Sequence, residues 1–178
     1  MNEKYRNQYR IDTTRLSSWD YGWPGAYFIT ICTHKRRHFF GRIQHGQMFL
    51  SDIGAIVTDE WLKTPALRPD MNLELDEYVV MPNHFHAILV IGENPFNTGV
   101  EIQGKKGPQR NNLSSVIRGF KSAVTCRARK INPKFTWQTR FHDHIIRNGD
   151  AWNRIAHYIA NNPVQWTKDR FHSPTTTP

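Results

Sequence analysis

Three small groups of side chains in this sequence have types and spacing suited to chemistry. His84 and His86 stand one residue apart within "VVMPNHFHAILV". Alternate side chains of an extended chain share a face, so the two imidazoles point the same way, roughly 7 Å apart along a strand. That spacing lets both converge on one metal ion. The plainer alternative is a pair of polar residues at a strand's start, hydrogen-bonded to their neighbours. His142 and His144 in "FHDH" repeat the spacing, with Asp143 on the opposite face. The first pair is favoured because its strand is more apolar, and so more central and rigid. Two histidines without cysteine do not make a closed structural zinc site, which takes four ligands. Imidazole with amide oxygen and water suits an open site for Mg²⁺ or Mn²⁺.

The third group lies in "DAWNRIAHYIANNPVQW", where Arg154, Tyr158 and Asn162 follow each other at intervals of four and share one row of a helix. A phenol with a pKa of about 10 is a poor nucleophile at neutral pH. To attack a phosphate it needs that phosphate activated by a metal or by arginine. From this helix alone, Tyr158 reads as an amphipathic residue at the core boundary with its hydroxyl in water.

The elements that would position these groups can be read from pattern. "PGAYFITICT" (24–33) is β-branched and aromatic, a strand. "KRRHFFG" reads as a basic turn leading to a short strand near "GQMFL". Ser51 or Asp52 caps a helix over about 52–63, with Ile53, Ile56, Val57 and Trp61 on its apolar face. Residues 72–80 and 84–91 form strands joined by Met81-Pro82-Asn83, a hairpin. The Gly-, Pro- and Asn-rich stretch 92–111 is a long loop. A helix follows from Asn112 to about Lys130, and 135–148 reads as strand. Asp150 is expected to cap the last helix, which Pro163 ends. This order predicts an α+β fold, a mainly antiparallel sheet with helices chiefly on one face. The expected division is a basic aromatic arm at 1–20, a domain over 21–169 and a disordered tail at 170–178.

The 178 residues carry a net charge of +9, unevenly spread. Residues 102–142 hold ten Lys and Arg and no carboxylate, whereas 43–101 hold two against nine. A one-signed block of that length suits a polyanion, with nucleic acid as the default partner. A solubilising basic face is the bland alternative. The candidate backbone contacts are Lys105, Lys106, Arg110, Arg118, Lys121, Arg127, Arg129 and Lys130. Tyr5, Trp19, Tyr21 and Trp23 are candidates for stacking on unpaired bases. No apolar run approaches the roughly 20 residues of a membrane span, and no signal peptide is visible. Cys32 and Cys126 are too few and too far apart for a disulfide framework, so a reducing, cytoplasmic setting is expected.

An HxH pair in an apolar strand, a basic region and a late helical tyrosine together resemble the HUH single-strand DNA nucleases with one catalytic tyrosine. More closely, the chain resembles the IS200/IS605-type transposases, and within them the REP-associated tyrosine transposases. The likeness rests on "VVMPNHFHAILV" (79–90), "WQTRFHDHIIRN" (137–148) and "HYIANNPV" (157–164), and runs from about Tyr21 to Asp169. It implies a ferredoxin-like domain in which His84 and His86 bind a divalent metal. Tyr158 would then attack a single-stranded or hairpin DNA phosphodiester and hold a 5′-phosphotyrosine. Asn162 stands where IS200-type enzymes can use a glutamine to complete the metal site. Arg154 would steady the phosphate. Such enzymes work as helix-exchanging homodimers or as monomers, and both remain open. Two other readings compete with strand transfer: a non-cleaving module for structured nucleic acid, and a hydrolase of small phosphate esters, which would not need the basic block.

Overall fold

A computed structural model of the chain describes residues 19–97 and 110–172, preceded by two short paired strands, β1 (Lys4–Tyr5) and β2 (Gln8–Tyr9). The elements that follow are β3 (Gly25–Cys32), the hairpin β4 (Gly41–Gln44) and β5 (Gln47–Leu50), and α1 (Asp52–Lys63). Next come β6 (Leu73–Met81), β7 (His84–Ile91), α2 (Leu113–Ile131), β8 (His142–Ile146) and α3 (Gly149–Asn161). Strands β6-β7-β3-β8 make one sheet in that order, every neighbouring pair antiparallel. With α1 after the first strand and α2 after the third, this is the ferredoxin-like α+β arrangement.

The sheet's two faces follow from strict alternation. Tyr27, Ile29 and Ile31 of β3 and Phe85, Ala87, Leu89 and Ile91 of β7 enter one core with Ile53, Val57 and Trp61 of α1 and Val116, Phe120 and Val124 of α2. Trp61 anchors it, edge-on to both Phe85 and Phe120 with ring centroids 5.1 and 5.3 Å away. The opposite face carries Ala26, Ile88 and Ile146, covered by Ala151 and Ile159 of α3. His84 and His86 belong to this second face, in register with Cys32 and Thr30 of β3. Helices therefore pack on both faces: α1 and α2 build the main core, and α3 covers the histidine side. That makes β7 buried on both sides, the reason its sequence is an apolar run rather than an alternation.

Local signals set most boundaries. Ser51, not Asp52, caps α1, its hydroxyl accepting from the Gly54 N–H at 3.1 Å. Asn112 caps α2 in a reciprocal box with Ser115. His45 and Gly46, both at positive φ, close the β4–β5 hairpin. Two expectations are corrected. α3 is capped by Asn148, whose side chain accepts from the Ala151 N–H at 2.8 Å, while Asp150 sits inside the first turn. The strand expected over 135–148 shrinks to His142–Ile146, preceded by a lone bridge between Thr33 and Trp137. Arg140 adopts a left-handed φ of 67°, and the Lys121 ammonium takes the carbonyls of Gln138 and Arg140 that a ladder would have used. Among the described residues no helix is long and apolar enough to cross a membrane.

Gly54 marks a close approach within this frame. A Cβ there would fall on the backbone carbonyl of Phe40, which is also the acceptor for the Ser51 N–H. Gly54→Ala should therefore destabilise the fold by about 1–3 kcal/mol through overpacking, despite alanine's better helix propensity. Urea unfolding of the two proteins measures it, and a stabilised alanine variant would contradict the tight α1–Phe40 packing.

Candidate active site

The turn before β7 fixes how its first histidine presents its nitrogens. The Asn83 amide nitrogen donates to the carbonyls of Phe171, at 2.9 Å, and Arg36, at 3.2 Å. Its oxygen is thereby turned toward His84 Nδ1, 2.8 Å away. An amide oxygen only accepts, so Nδ1 carries the proton and Nε2 keeps a bare lone pair. That nitrogen is buried without a hydrogen-bond partner and lies 4.0 Å from Asp169 Oδ2, itself buried and unpartnered. The Asn162 side-chain oxygen is a third buried polar atom left without a partner. Buried acceptors that face one another repel unless something positive lies between them.

His86 completes the cluster. Its Nδ1 meets the Thr30 hydroxyl at 2.8 Å and its Nε2 meets the Tyr158 hydroxyl at 3.2 Å. Phe28 stacks on this imidazole and meets the Tyr158 ring edge-on, so tyrosine and histidine share an aromatic floor. Ligating atoms of His84, His86 and Asp169 all lie within 4.8 Å of one another. Two imidazole nitrogens and a carboxylate oxygen are an ordinary donor set for a divalent ion, and the orphaned atoms fit one.

Burial pushes both imidazoles toward neutrality. His84 is held well below the ordinary histidine range, by desolvation first and by the second imidazole next. His86 falls to about 3, again chiefly through burial. Both are unprotonated at neutral pH, the state a metal ligand requires. Tyr158, 40% exposed, has its phenol raised, mainly by burial and then by the Asp169 carboxylate. As it stands the hydroxyl is protonated and a weak nucleophile.

The structure thus brings together four residues singled out by sequence: His84, His86, Tyr158 and Asn162. Tyr158, Asn162, Lys168, Asp169 and Arg170 line a cleft of about 230 Å³ beside the cluster. Arg154 is exposed one turn before Tyr158 on α3. His142 and His144 are on the same sheet face, opposite Thr30 and Phe28, but on β8 and exposed. Sequence reading missed Asp169, the first carboxylate after Asp150 in a C-terminal third poor in acids; that scarcity was the available signal. It also assigned Arg170–His172 to the tail. Phe171 is instead 7% exposed, its ring 4.7 Å from that of His84.

The expected nucleic-acid contacts are scattered. α2 covers the face opposite the histidines. On it Lys121 is turned to two carbonyls, Arg127 pairs with Asp59 and Glu60, and Arg129 donates to the Phe135 carbonyl. Arg110, Arg118 and Lys130 are exposed, and Lys105 and Lys106 lie outside the described residues. Tyr21 is packed in the main core at 9% exposure and cannot stack on a base. Trp23 is exposed against Trp19, whose indole N–H donates to the Tyr27 hydroxyl. Both tryptophans lie near Gly25, the far end of the β3–β7 ladder from His84, roughly 23 Å away. The side chains before residue 19, Tyr5 among them, lie outside the described residues.

No family model matches the chain. It is 36% identical over 165 residues to an uncharacterized protein of Haemophilus influenzae, covering 89% of this chain and 91% of that one. It is 29% identical over 115 residues to the REP-associated tyrosine transposase of Escherichia coli, covering 62% of this chain and 58% of that protein. The chain thus spans little more than half the length of that transposase. A solved REP-associated tyrosine transposase bound to a REP hairpin shares the fold, with a TM-score of 0.59 at 22% identity over 88% of this chain and 74% of that one.

The buried imidazoles give the metal-free protein a defined acid response. An unfolded chain protonates His86 near its ordinary 6.5, whereas the folded chain resists down to about 3. Stability is complete above pH 6.5 and falls as pH drops through that window, by about 1.4 kcal/mol per unit from His86 alone. Urea midpoints between pH 7 and 5 should show at least this slope, and His86→Asn should reduce it, leaving the share that His84 contributes. An equally steep slope in the variant would place the linkage elsewhere.

Proposed function

Since the chain belongs to the IS200/IS605-type tyrosine transposases, with REP-associated members among its relatives, we propose that it cleaves and rejoins single-stranded DNA through a covalent bond to Tyr158. The observation that carries this reading is the Tyr158 hydroxyl 3.2 Å from His86 Nε2, beside the unpartnered acceptors of His84 and Asp169.

His84, His86 and Asp169 would hold a divalent ion, Mg²⁺ or Mn²⁺, with the Asn162 amide oxygen at hand as a further ligand. When bound, such an ion supplies Lewis-acid polarisation of a phosphate oxygen. The chain's own residues do the rest. β7 is buried on both faces and fixes the two imidazoles on a rigid strand. Thr30 and Asn83 orient their rings from the far nitrogens. Packing of α3 on the second core sets the phenol over the site, and Arg154, a turn away, steadies the phosphate. As the bond from tyrosine oxygen to phosphorus forms, the bond from phosphorus to the 3′-oxygen breaks. The phenol's proton passes to water, and the released oxygen takes one up to become a 3′-hydroxyl. One phosphodiester replaces another, so a second 3′-hydroxyl can reverse the step on a new strand without ATP.

The DNA is proposed to be a hairpin, the kind of ligand in the solved REP-associated tyrosine transposase structure, with single-stranded flanks for the tyrosine to cut. Arg36, Arg140, Lys168 and Arg170 border the two clefts beside the cluster and are the nearest cations for its backbone. Binding should weaken with salt at a log–log slope of roughly −0.7 per phosphate neutralised. A cytoplasmic site of action follows from this substrate.

The test is a hairpin oligonucleotide with single-stranded tails, labelled at its 3′ end, incubated with Mg²⁺ or Mn²⁺. The labelled fragment should migrate with the protein after boiling in detergent. Tyr158→Phe keeps the ring and should abolish the adduct while leaving hairpin binding within about twofold, since the grip is electrostatic. Arg154→Ala should slow adduct formation without changing the product. An adduct that persists in Tyr158→Phe, or cutting with no adduct at all, would replace the tyrosine with another nucleophile or water.

A further inference from the structure

The β4–β5 hairpin has an outer face that serves neither the core nor the histidine cluster. Strand alternation divides its residues between two sides. Ile43 and Met48 are cross-strand partners and half-buried, with Met48 packed against the main core. Arg42 pairs with Phe49 and Gln44 with Gln47, and all four are exposed on the other side. We propose that this outer face enters the major groove of a DNA duplex and reads base pairs there. The duplex is the stem of the hairpin substrate proposed above, so the inference rests on that reading for its ligand.

Shape and place fit that occupant. Paired strands lie about 4.7–4.9 Å apart, and a major groove about 12 Å wide admits a two-stranded ribbon. This ribbon has four residues to a strand and a two-residue turn at His45 and Gly46. Its root is clamped by Ser51, which donates its hydroxyl to the Phe39 carbonyl at 2.7 Å and its N–H to the Phe40 carbonyl at 2.9 Å. Side chains that read a groove need such a rigid mount. The tip reaches the catalytic side. A Cβ on Gly46 would lie 3.5 Å from Val164, two residues past Asn162. A duplex held on the ribbon lies next to the cleft that Tyr158 and Asn162 line.

The side chains supply the matching chemistry. Residues 41–50 hold no carboxylate, and Lys35, Arg36 and Arg37 come just before them in the chain. Cations there suit the phosphates that rim a groove, which set register but carry no sequence information. The outer face itself carries groups that tell base pairs apart. Arginine bonds bidentately to guanine O6 and N7, and glutamine to adenine N6 and N7. Phenylalanine makes apolar contact with the thymine methyl. Phe49 is 46% exposed beside Arg42 and the two glutamines, and a thymine methyl gives that ring an apolar partner. A surface that only gripped phosphates would need neither the amides nor the ring.

The probe is a library of hairpin oligonucleotides with a randomised, self-complementary stem, selected on the full-length protein and sequenced. The unaltered protein should enrich particular base pairs at neighbouring stem positions, by about tenfold each. Gln44→Ala and Gln47→Ala, both at exposed positions, should each level the preference at one position. Their affinity for the unselected library should stay within about twofold, because phosphate contacts supply it. Uracil in place of thymine in the selected stem removes only the groove methyl. That change should weaken binding about fourfold in the unaltered protein and leave Phe49→Ala unaffected. Equal enrichment in the unaltered protein and both glutamine variants, or no preference within the stem, would overturn the inference. A Tyr158 adduct in a protein blind to the stem defeats the ribbon and leaves the strand-transfer reading standing. Stem preference that depends on Gln44 and Gln47, without any adduct, does the opposite.

Discussion

The site depends on one awkward encounter: a buried histidine lone pair facing a buried carboxylate oxygen 4.0 Å away, with no hydrogen bond between them. Asn83 creates it. Its amide is committed to two backbone carbonyls, so its oxygen can only receive the His84 Nδ1 proton, and Nε2 is left bare toward Asp169. Alone, that arrangement is unfavourable, since buried unpaired acceptors cost roughly 1–3 kcal/mol each. It becomes favourable when a cation sits between them. The remaining features serve the same end. Desolvation keeps the imidazoles neutral, Thr30 orients the second ring, and α3 delivers a phenol to the open side.

The two-sided sheet explains how a small domain can hold such a pocket. The main core, with α1, α2 and Trp61, needs nothing from the histidine face. That face is closed instead by α3 and the segment around Trp166 and Phe171, whose rings pack on His84. A residue at the apparent end of the domain is therefore part of the site. The division also accounts for the basic helix α2, whose charges largely serve the fold: Arg127 binds the acidic end of α1, and Lys121 shapes the loop that borders the second cleft.

Much of this was legible in the sequence, for physical reasons that differ by element. Strand alternation put His84 and His86 on one face, and a four-residue period put Tyr158 and Asn162 on one helix row; both are local rules. The hairpin turn and the α2 cap were local too. What pattern could not reach were long-range commitments. Nothing near Lys121 announces that its ammonium will hold two carbonyls across a loop, which is why the strand before β8 is shorter than its residues suggest. Tyr21 reads like Trp23 until the core is assembled and only one of them is inside it. Asp169 joins His84 across 85 positions, visible only as a lone carboxylate in a basic stretch.

The central claim is that this pocket is built to hold a divalent cation through two imidazoles. Pulsed electron paramagnetic resonance of Mn²⁺ added to the DNA-free protein tests it most directly, because nitrogen couplings report the ligands themselves. Coupling to two imidazole nitrogens is the predicted result, falling to one in His84→Ala and disappearing when His86 is replaced as well. A bound Mn²⁺ signal with no nitrogen coupling, unchanged by either substitution, would contradict it.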